Sequence, residues 1–168
     1  MKYAVVSDIH ANLSAFRAVL ADARSRGAGA VVCLGDIAGY GPLPAEAAAL
    51  ARQSCAFAVA GNHDDAVSGR CGAGDFTGLA ADAVARHRAA LPQDARDWLS
   101  SLPYVCRFGE AAATHGDFTD PEAFLYVETP EDAAASFALT RERLLFVGHT
   151  HIPCIFVSDG GRASRLPL

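Results

Sequence analysis

Short apolar runs and amphipathic segments alternate along the chain, and this alternation predicts an α/β fold. Apolar runs typical of buried strands occupy residues 3–7, 30–35 and 56–61. The segments 14–27 and 44–54, which lie between these runs, have the apolar spacing of helices. Strands that are separated by helices favour parallel pairing within one sheet.

The second half of the chain continues with helices and a hairpin. The predicted elements are helices at 77–91, 92–102 and 130–139, a hairpin at 104–116 around Gly109-Glu110, and closing strands in LLFVGH and IFVSD. No internal repeat interrupts this order. A length of 168 residues predicts one domain spanning 1–168.

Composition and charge exclude several classes of protein. A net charge of −5 disfavours an extended nucleic-acid surface. No apolar stretch approaches the roughly 18 residues of a membrane span, and the N-terminus lacks the apolar core of an export signal. The five cysteines are widely spread without a C-x-x-C pair, which predicts no disulfide and a reducing cytoplasm. We expect Cys33, Cys55, Cys106 and Cys154 to be small buried side chains, and Cys71, in a Gly-rich loop, to be exposed.

Metal-binding side chains follow five of the predicted strands. In chain order these residues are Asp8 and His10, then Asp36, then Asn62, His63 and Asp64, then His115 and Asp117, and finally His149 and His151. Open α/β sheets bind ligands beyond the carboxyl ends of their strands, so we expect these side chains to converge. In an extended chain, residues two apart point to the same side, which aims each D-x-H or H-x-H pair in one direction.

These motifs resemble, in this order, those of the calcineurin-like metallophosphoesterase superfamily. The matching segments are SDIHANL, CLGDIAGYGP, VAGNHDD, ATHGD and VGHTHIP. Each motif alone is weakly specific, whereas five in order over residues 4–153 are highly specific. The length is similar to that of the small phosphodiesterase branch. The resemblance implies a four-layer α/β/β/α sandwich with two mixed sheets and a metal-dependent hydrolase of a small phosphate ester, preferably a phosphodiester.

The resemblance also implies a centre of two divalent metal ions. One ion would be held by Asp8, His10, Asp36 and His151, and the other by Asp36, Asn62, His115 and His149, with Asp36 bridging both. Nitrogen and oxygen ligands without a thiolate suit Mn, Fe, Co, Ni or Zn. Manganese is our first expectation.

Charge explains how an acidic protein would attract a phosphate. Two divalent ions bring four positive charges, and the carboxylates of Asp8 and Asp36 neutralise two of them. The ions would provide a bridging hydroxide that attacks phosphorus at neutral pH. By resemblance, His63 faces the leaving group as a general acid or charge stabiliser, and Asp64 orients it. A simple turn or cap role is the alternative for Asp64.

Four further polar residues have less specific interpretations. Asn12 either approaches the phosphate or caps the first helix. Tyr40 either lines the substrate mouth or packs within the Gly-Pro turn. Asp117 is expected to support a ligand from outside or to face solvent. His87, in a polar helical segment, is expected at the surface.

Alternative functions share the same motifs. They are a phosphoprotein phosphatase, a dinucleoside polyphosphate phosphatase, and a non-catalytic scaffold with an impaired metal site. No ligand position is replaced in this chain, which argues against a scaffold. The short chain leaves little room for a specificity cap, which favours small or exposed phosphodiesters.

The sequence departs from the family pattern after His151. Only 17 residues follow it, and no N-P-G-S turn occurs among them. Shortened C-terminal strands are therefore expected. A homo-oligomer, in which a second copy supplies the sheet edge, is a further expectation.

Overall fold

Three parallel strands form the first sheet of the computed structural model, which describes residues 1–72, 74 and 76–167. The strands are β1 (Tyr3–Val6), β2 (Ala30–Cys33) and β3 (Phe57–Ala58), and they lie in that order. Helices α1 (Leu13–Ser25) and α2 (Pro44–Ser54) connect them, as predicted. Asn12 is the N-cap of α1, because its side-chain oxygen accepts the N–H of Ala15 at 3.1 Å.

The second sheet combines antiparallel and parallel pairing. Strands β4 (Val105–Phe108) and β5 (Ala111–Thr114) form the predicted hairpin, and β6 (Leu144–Phe146) pairs with β5 in parallel. Helix α6 (Pro130–Leu139) provides the crossover between β5 and β6. It begins at Thr129, whose hydroxyl accepts the N–H of Asp132 at 3.2 Å.

Three consecutive helices separate the two sheets along the chain. They are α3 (Asn62–Ser68), α4 (Gly78–Ala90) and α5 (Gln93–Ser100). Helices α4 and α5 were predicted, but α3 was not, because seven largely polar residues are too few to show a helical period. The predicted strand at 56–61 is consequently shorter, and Asn62, His63 and Asp64 lie in the first turn of α3.

The last two strands form a separate antiparallel hairpin. Strand β7 (Ile155–Asp159) was predicted, whereas β8 (Arg162–Leu166) was not, because only one of its residues is partly buried and the apolar alternation is weak. Both strands pack against α6. In the described part of the chain the hairpin pairs with neither three-stranded sheet. A sheet edge supplied by a second copy stays a prediction.

The two sheets pack face to face between layers of helix. Along β2 the side chains alternate, so that Cys33 packs with the helices and Val32 packs toward the second sheet. Phe108 lies between the sheets, with its ring centroid 5.0 Å from that of Tyr3 and 5.7 Å from that of Phe57. The expected α/β sandwich is confirmed, with the difference that the described strands of the first sheet are all parallel.

The lengths of the helices can be compared with the length that a membrane span needs. The longest ones, α1 and α4, have 13 residues each. Among the residues that the structure describes, we find no helix with the length and hydropathy needed to cross a bilayer.

Candidate active site

The predicted metal-binding side chains meet where the carboxyl ends of the two sheets adjoin. Asp8 and His10 follow β1, Asp36 follows β2, Asn62 begins the helix after β3, His115 follows β5, and His149 and His151 follow β6. Six of these seven residues fall into two compact groups of nitrogen and oxygen atoms. The seventh, Asn62, lines the same cavity.

The backbone at these positions is unusual. Asp8, His10, Asp36, His149 and His151 all have positive φ, between 47° and 69°. Left-handed conformations are uncommon for residues other than glycine and cost about 1–3 kcal/mol each, and they concentrate at functional sites. The surrounding fold therefore holds these side chains in place against a local conformational preference.

The first group consists of Asp8, His10 and His151. Nε2 of His151 lies 3.1 Å from Oδ1 of Asp8 and 3.1 Å from Nε2 of His10. The distance from Nε2 of His10 to Oδ1 of Asp8 is 3.9 Å. Ligands about 2.1 Å from one metal ion are separated by roughly these distances.

The second group consists of Asp36, His115 and His149. Nε2 of His115 lies 3.2 Å from Nδ1 of His149 and 3.4 Å from Oδ2 of Asp36. The same Oδ2 atom lies 3.7 Å from Nε2 of His10, which belongs to the first group. A single oxygen of Asp36 therefore faces both groups.

Backbone carbonyls determine which nitrogen of two imidazoles points into the site. Nδ1 of His10 donates to the carbonyl of Ala38 at 3.0 Å, and Nδ1 of His115 donates to the carbonyl of Leu34 at 2.7 Å. In the neutral imidazole the Nε2 atom then carries a lone pair rather than a hydrogen. Metal-binding histidines are commonly held in this way.

The environment of Asn62 gives an independent test of whether the residues fit a metal. Its Oδ1 atom is buried and has no hydrogen-bond partner among the described residues. A buried acceptor without a partner is costly, and a cation would satisfy it. Together with the inward-facing lone pairs of His10 and His115, this atom indicates that the residues fit divalent ions.

Burial and close contact shift the pKa values of Asp36 and His115. Burial alone would raise the pKa of Asp36, but the imidazoles of His115, His63 and His10 together hold it well below its usual range. Burial opposes the charge on His115, yet the carboxylate of Asp36 raises the pKa of His115 to about 9. In the protein without metal, a proton on His115 therefore offsets the charge that a cation would otherwise balance.

His63 lies at the border between the metal-binding groups and the open cavity. One of its ring nitrogens is within 4.8 Å of nitrogen and oxygen atoms of His10 and Asp36. Its Nδ1 atom is buried without a partner among the described residues. Burial lowers the pKa of His63 to about 4, so the imidazole is neutral at pH 7 before any ligand binds.

In the described part of the chain, Asp64 makes no direct hydrogen bond to the imidazole of His63. Its carboxylate accepts backbone N–H groups from Ile37 at 3.2 Å, Ala38 at 2.9 Å and Gly61 at 3.2 Å. These bonds tie the loop after β2 to the first turn of α3. Burial, followed by the charge of Asp36, raises the pKa of Asp64 to about 7. The turn and cap alternative describes its observed contacts.

Gly39 and Gly61 allow the backbone to approach the site closely. A Cβ atom at Gly39 would lie 2.7 Å from Nδ1 of His63 and 2.8 Å from Nδ1 of His10, and Gly39 also has a φ of +99°. A Cβ atom at Gly61 would collide with the carboxylate of Asp36. Any side chain at these two positions would displace the metal-binding residues.

His87 is buried, so the prediction of a surface residue is wrong. Only 4% of the residue is exposed. The N–H of Gly39 donates to its Nδ1 atom at 3.0 Å, and its Nε2 atom donates to the carbonyl of Gly41 at 2.7 Å. One imidazole thus bonds the backbone on both sides of Tyr40. Sequence analysis missed this role because residues 40 and 87 belong to distant segments, although six histidines in one chain gave a reason to examine each.

We expect His87→Ala to destabilise the protein. Each buried backbone group that loses its only partner costs about 1–3 kcal/mol, and the substitution affects both Gly39 and Gly41. Urea unfolding should show a lower midpoint with an unchanged slope. Arg88→Ala is the matched control on the same helix and should cost much less. Equal stability of wild type and His87→Ala would contradict the role.

The effect of His87 should depend on pH. Burial lowers the pKa of His87 below its ordinary value of 6.5, against the opposing hydrogen bond to Gly41. The unfolded chain therefore binds a proton at a higher pH than the folded protein does, and stability declines as the pH falls below about 6.5. The difference in unfolding free energy between wild type and His87→Ala should shrink from pH 8 to pH 5.

The structure also shows the surroundings of Tyr40 and Asp117, for which the sequence left two interpretations. Tyr40 is half exposed and lines the cavity over the metal-binding groups. Asp117 is buried, and its carboxylate accepts the N–H of Asp120 at 3.2 Å and the hydroxyl of Thr119. It stabilises the turn after His115 rather than facing solvent.

The cavity over the metal-binding groups has a volume of about 330 Å³. Its described lining combines four histidines with Asp36, Asn62, three aromatic residues and small side chains, and it includes no Lys or Arg. A larger cavity of about 460 Å³ between α6 and β6 is mainly apolar and contains none of the predicted metal ligands. Five of the seven predicted metal ligands line the smaller cavity.

Comparison with known proteins identifies related sequences and structures. Residues 1–163 match the calcineurin-like phosphoesterase superfamily domain. The protein MJ0912 of Methanocaldococcus jannaschii is 35% identical over 161 residues, which cover 94% of this chain and 65% of MJ0912. The chain thus spans slightly less than two thirds of that relative.

Two solved structures have the same fold. A metallophosphoesterase from Sphaerobacter thermophilus superposes with a TM-score of 0.82 at 33% identity, covering 99% of this chain and 69% of that one. The protein PH1004 from Pyrococcus horikoshii OT3 superposes with a TM-score of 0.75 at 18% identity, covering 97% and 74%. The second likeness concerns the fold alone.

Proposed function

Since this chain belongs to the calcineurin-like phosphoesterase superfamily, we propose that it is a metal-dependent phosphodiesterase acting on a small phosphate ester. The observation that carries the proposal is the position of one oxygen of Asp36, which faces both groups of metal-binding side chains. A centre of two metal ions needs a ligand that can contact both ions, and this oxygen is positioned to do so. Family membership supports phosphoester hydrolysis, and the geometry supports a dinuclear centre.

The proposed ligands divide between two ions. Asp8, His10 and His151 would hold one ion, Asn62, His115 and His149 would hold the other, and Asp36 would contact both. The ions would be divalent, and we propose manganese, with iron, zinc, nickel or cobalt as alternatives for the same nitrogen and oxygen atoms. When bound, two such ions polarise phosphoryl oxygens and supply a nucleophile at neutral pH.

The protein's own residues would position the ester and assist the departing group. His63 borders the cavity with an unpartnered ring nitrogen, and we propose that it hydrogen-bonds the leaving oxygen. Asp64 would act through the backbone, because it ties the loop of Ile37 and Ala38 to the helix that carries His63. Charge stabilisation by such a donor is strongest where water is excluded.

The alternatives receive less support from the site. A scaffold would need no complete ligand set, whereas this chain has a suitable residue at each of the seven expected positions, which supports a metal-dependent enzyme. A polyphosphate would favour basic side chains along the cavity, and the described lining has none. A cavity of about 330 Å³ is large enough for a small diester, which supports a small phosphate ester as the substrate.

Hydrolysis of bis-p-nitrophenyl phosphate tests the proposed function. Protein treated with a chelator should be inactive, and added Mn²⁺ should restore release of p-nitrophenolate. The monoester p-nitrophenyl phosphate is the comparison, and we expect it to react more slowly. Absence of hydrolysis of both esters with each of the five metals would contradict the proposal.

We further propose a cytoplasmic location and expect no stable disulfide. The thiols of Cys33 and Cys55 lie close enough to hydrogen-bond, so this pair gives the strictest test of the expectation that no disulfide forms. The hydrogen bond with the Cys55 thiol, followed by burial, raises the pKa of Cys33 well above its usual value, which disfavours the thiolate at Cys33, whereas the same hydrogen bond lowers the pKa of Cys55. Alkylation of the denatured, non-reduced protein should add five labels by mass spectrometry. A mass with only three labels would overturn both expectations.

A further inference from the structure

Two tyrosines stand at the mouth of the metal-binding cavity. Tyr40 is 49% exposed and Tyr126 is 54% exposed, and both line the cavity together with Phe76. Large aromatic side chains are usually buried in a core, and half-exposed ones that border a cavity commonly contact ligands. Neither hydroxyl has a hydrogen-bond partner among the described residues, so no polar contact explains the position of either ring.

Tyr126 offers an open aromatic face. Its ring is stacked on that of His149, with the centroids 4.1 Å apart and the planes only 6° from parallel. One face is therefore covered by a proposed metal ligand. Because more than half of the residue is exposed, the opposite face is available to a second flat group. The ring of Tyr126 would then separate the stacked group from His149.

Tyr40 contacts two other histidines of the cavity. Its ring contacts those of His10 and His63, with both centroids 4.8 Å away. The backbone of Tyr40 has a φ of +53°, which is strained for a bulky residue. The N–H of Gly39 donates to His87, and His87 donates to the carbonyl of Gly41, so these two hydrogen bonds stabilise the backbone on both sides of Tyr40. A conformation maintained at this cost positions the ring over the cavity.

The charge of the cavity limits the size of the phosphate group. The described lining residues include no Lys or Arg, so positive charge would come mainly from bound metal ions. A chain of several phosphates would extend its negative charge beyond that centre, next to a protein with a net charge of −5. The lining therefore suits an ester with a single phosphate and an uncharged flat substituent.

We propose that Tyr126 and Tyr40 form a subsite for the nucleobase of a nucleoside phosphodiester with a single phosphate. This inference rests on the proposed function and specifies its substrate class. Nucleobases are the common flat substituents of biological phosphate esters, and stacking on an aromatic side chain tolerates any base because every base has a π face. The base stacks on the free face of Tyr126, and Tyr40 contributes a second aromatic ring to the same cavity.

A matched pair of substrates tests the subsite. Thymidine 5′-(p-nitrophenyl phosphate) and methyl p-nitrophenyl phosphate share the leaving group and differ in the nucleoside. We expect wild-type kcat/KM to be about 10-fold or more higher for the thymidine ester. Tyr126→Leu should reduce this ratio toward one, whereas Tyr126→Phe, which retains the ring, should preserve it. Tyr40→Leu should reduce the ratio and Tyr40→Phe should preserve it.

Leu125→Ala is the control variant for this comparison. Leu125 is the neighbour of Tyr126 and is similarly exposed at 50%, but it does not line the cavity, so the ratio should stay unchanged. A wild-type ratio near one, or an unchanged ratio in Tyr126→Leu, would overturn the subsite. Higher kcat/KM for a dinucleoside polyphosphate than for the thymidine ester would overturn the single-phosphate part.

A binding measurement separates failure of the subsite from failure of the proposed function. Calorimetry on the Mn²⁺-loaded protein should give thymidine 5′-monophosphate at least about 5-fold tighter binding than methyl phosphate, and Tyr126→Leu should remove the difference. If neither ester is hydrolysed but this difference is found, the phosphodiesterase proposal fails and the subsite stands. If both esters are hydrolysed and the two phosphates bind equally, the subsite fails alone.

Discussion

Replacing Asp36 with asparagine is expected to remove both metal ions and nearly all activity. One oxygen of Asp36 lies 3.4 Å from Nε2 of His115 and 3.7 Å from Nε2 of His10, so it faces both metal-binding groups. The other oxygen accepts the N–H of His63 at 3.0 Å. An asparagine that keeps this hydrogen bond turns its amide NH₂ toward the ions, and an NH₂ group is not a ligand. Activity should fall by about 10³-fold or more.

Elemental analysis of the purified variants measures this effect directly. Asp36→Asn should retain fewer than one equivalent of metal, whereas His151→Ala, which removes a ligand of one ion, should retain about one. Asp117→Asn is the matched control, because that carboxylate is also buried but bonds only Thr119 and Asp120. It should keep two equivalents. Two equivalents in Asp36→Asn would refute the shared-ligand scheme.

Replacing His63 with asparagine is expected to leave both metal ions bound while kcat falls by about 10²–10⁴. The ring is buried at the border of the cavity, and Nδ1 has no partner in the described part of the chain. His63 is neutral at pH 7 because burial lowers its pKa to about 4. A neutral imidazole that donates to the departing oxygen contributes mainly in the transition state, so substrate binding should be nearly unchanged.

The leaving group provides a sharper test of the His63 role. An alkoxide needs a hydrogen-bond donor as it departs, whereas p-nitrophenolate is stable without one. The loss in His63→Asn should therefore be larger for an alkyl diester than for bis-p-nitrophenyl phosphate. His87→Ala is the comparison variant, because any loss that it causes through the loop should be similar for both esters. Metal loss in His63→Asn would make His63 a ligand, and full activity on the alkyl diester would exclude the proposed role.

Much of the fold follows from local sequence patterns. The apolar runs at 3–7 and 30–35 and the helical spacing at 14–27 each depend on neighbouring residues, and all three elements form nearly where predicted. Helix α3 and strand β8 were missed because they are short and their apolar periodicity is weak. Short elements of this kind depend on tertiary packing rather than on their own sequence.

The identities of the metal-binding candidates could also be read from the sequence. A carboxylate or imidazole directly after a buried strand has few structural roles, and strands of one sheet end at a common edge. The left-handed backbone at Asp8, Asp36 and His149 was not predictable, because it contradicts the local preference of those residue types. Contacts from the whole fold stabilise that conformation.

Only the tertiary structure decided the surroundings of these residues. His87 looked like a surface residue in a polar helix, yet it binds the backbone around Tyr40, 47 positions away. Asp64 looked like a partner of His63, yet it bonds the backbone of Ile37 and Ala38. Tyr126 carries no motif and reaches the site by stacking on His149.

The sequence by itself determines which side chains can bind a metal, because that is a property of residue type and of position after a strand. Which side chains surround them depends on how separate loops and helices pack, and no local periodicity records that packing.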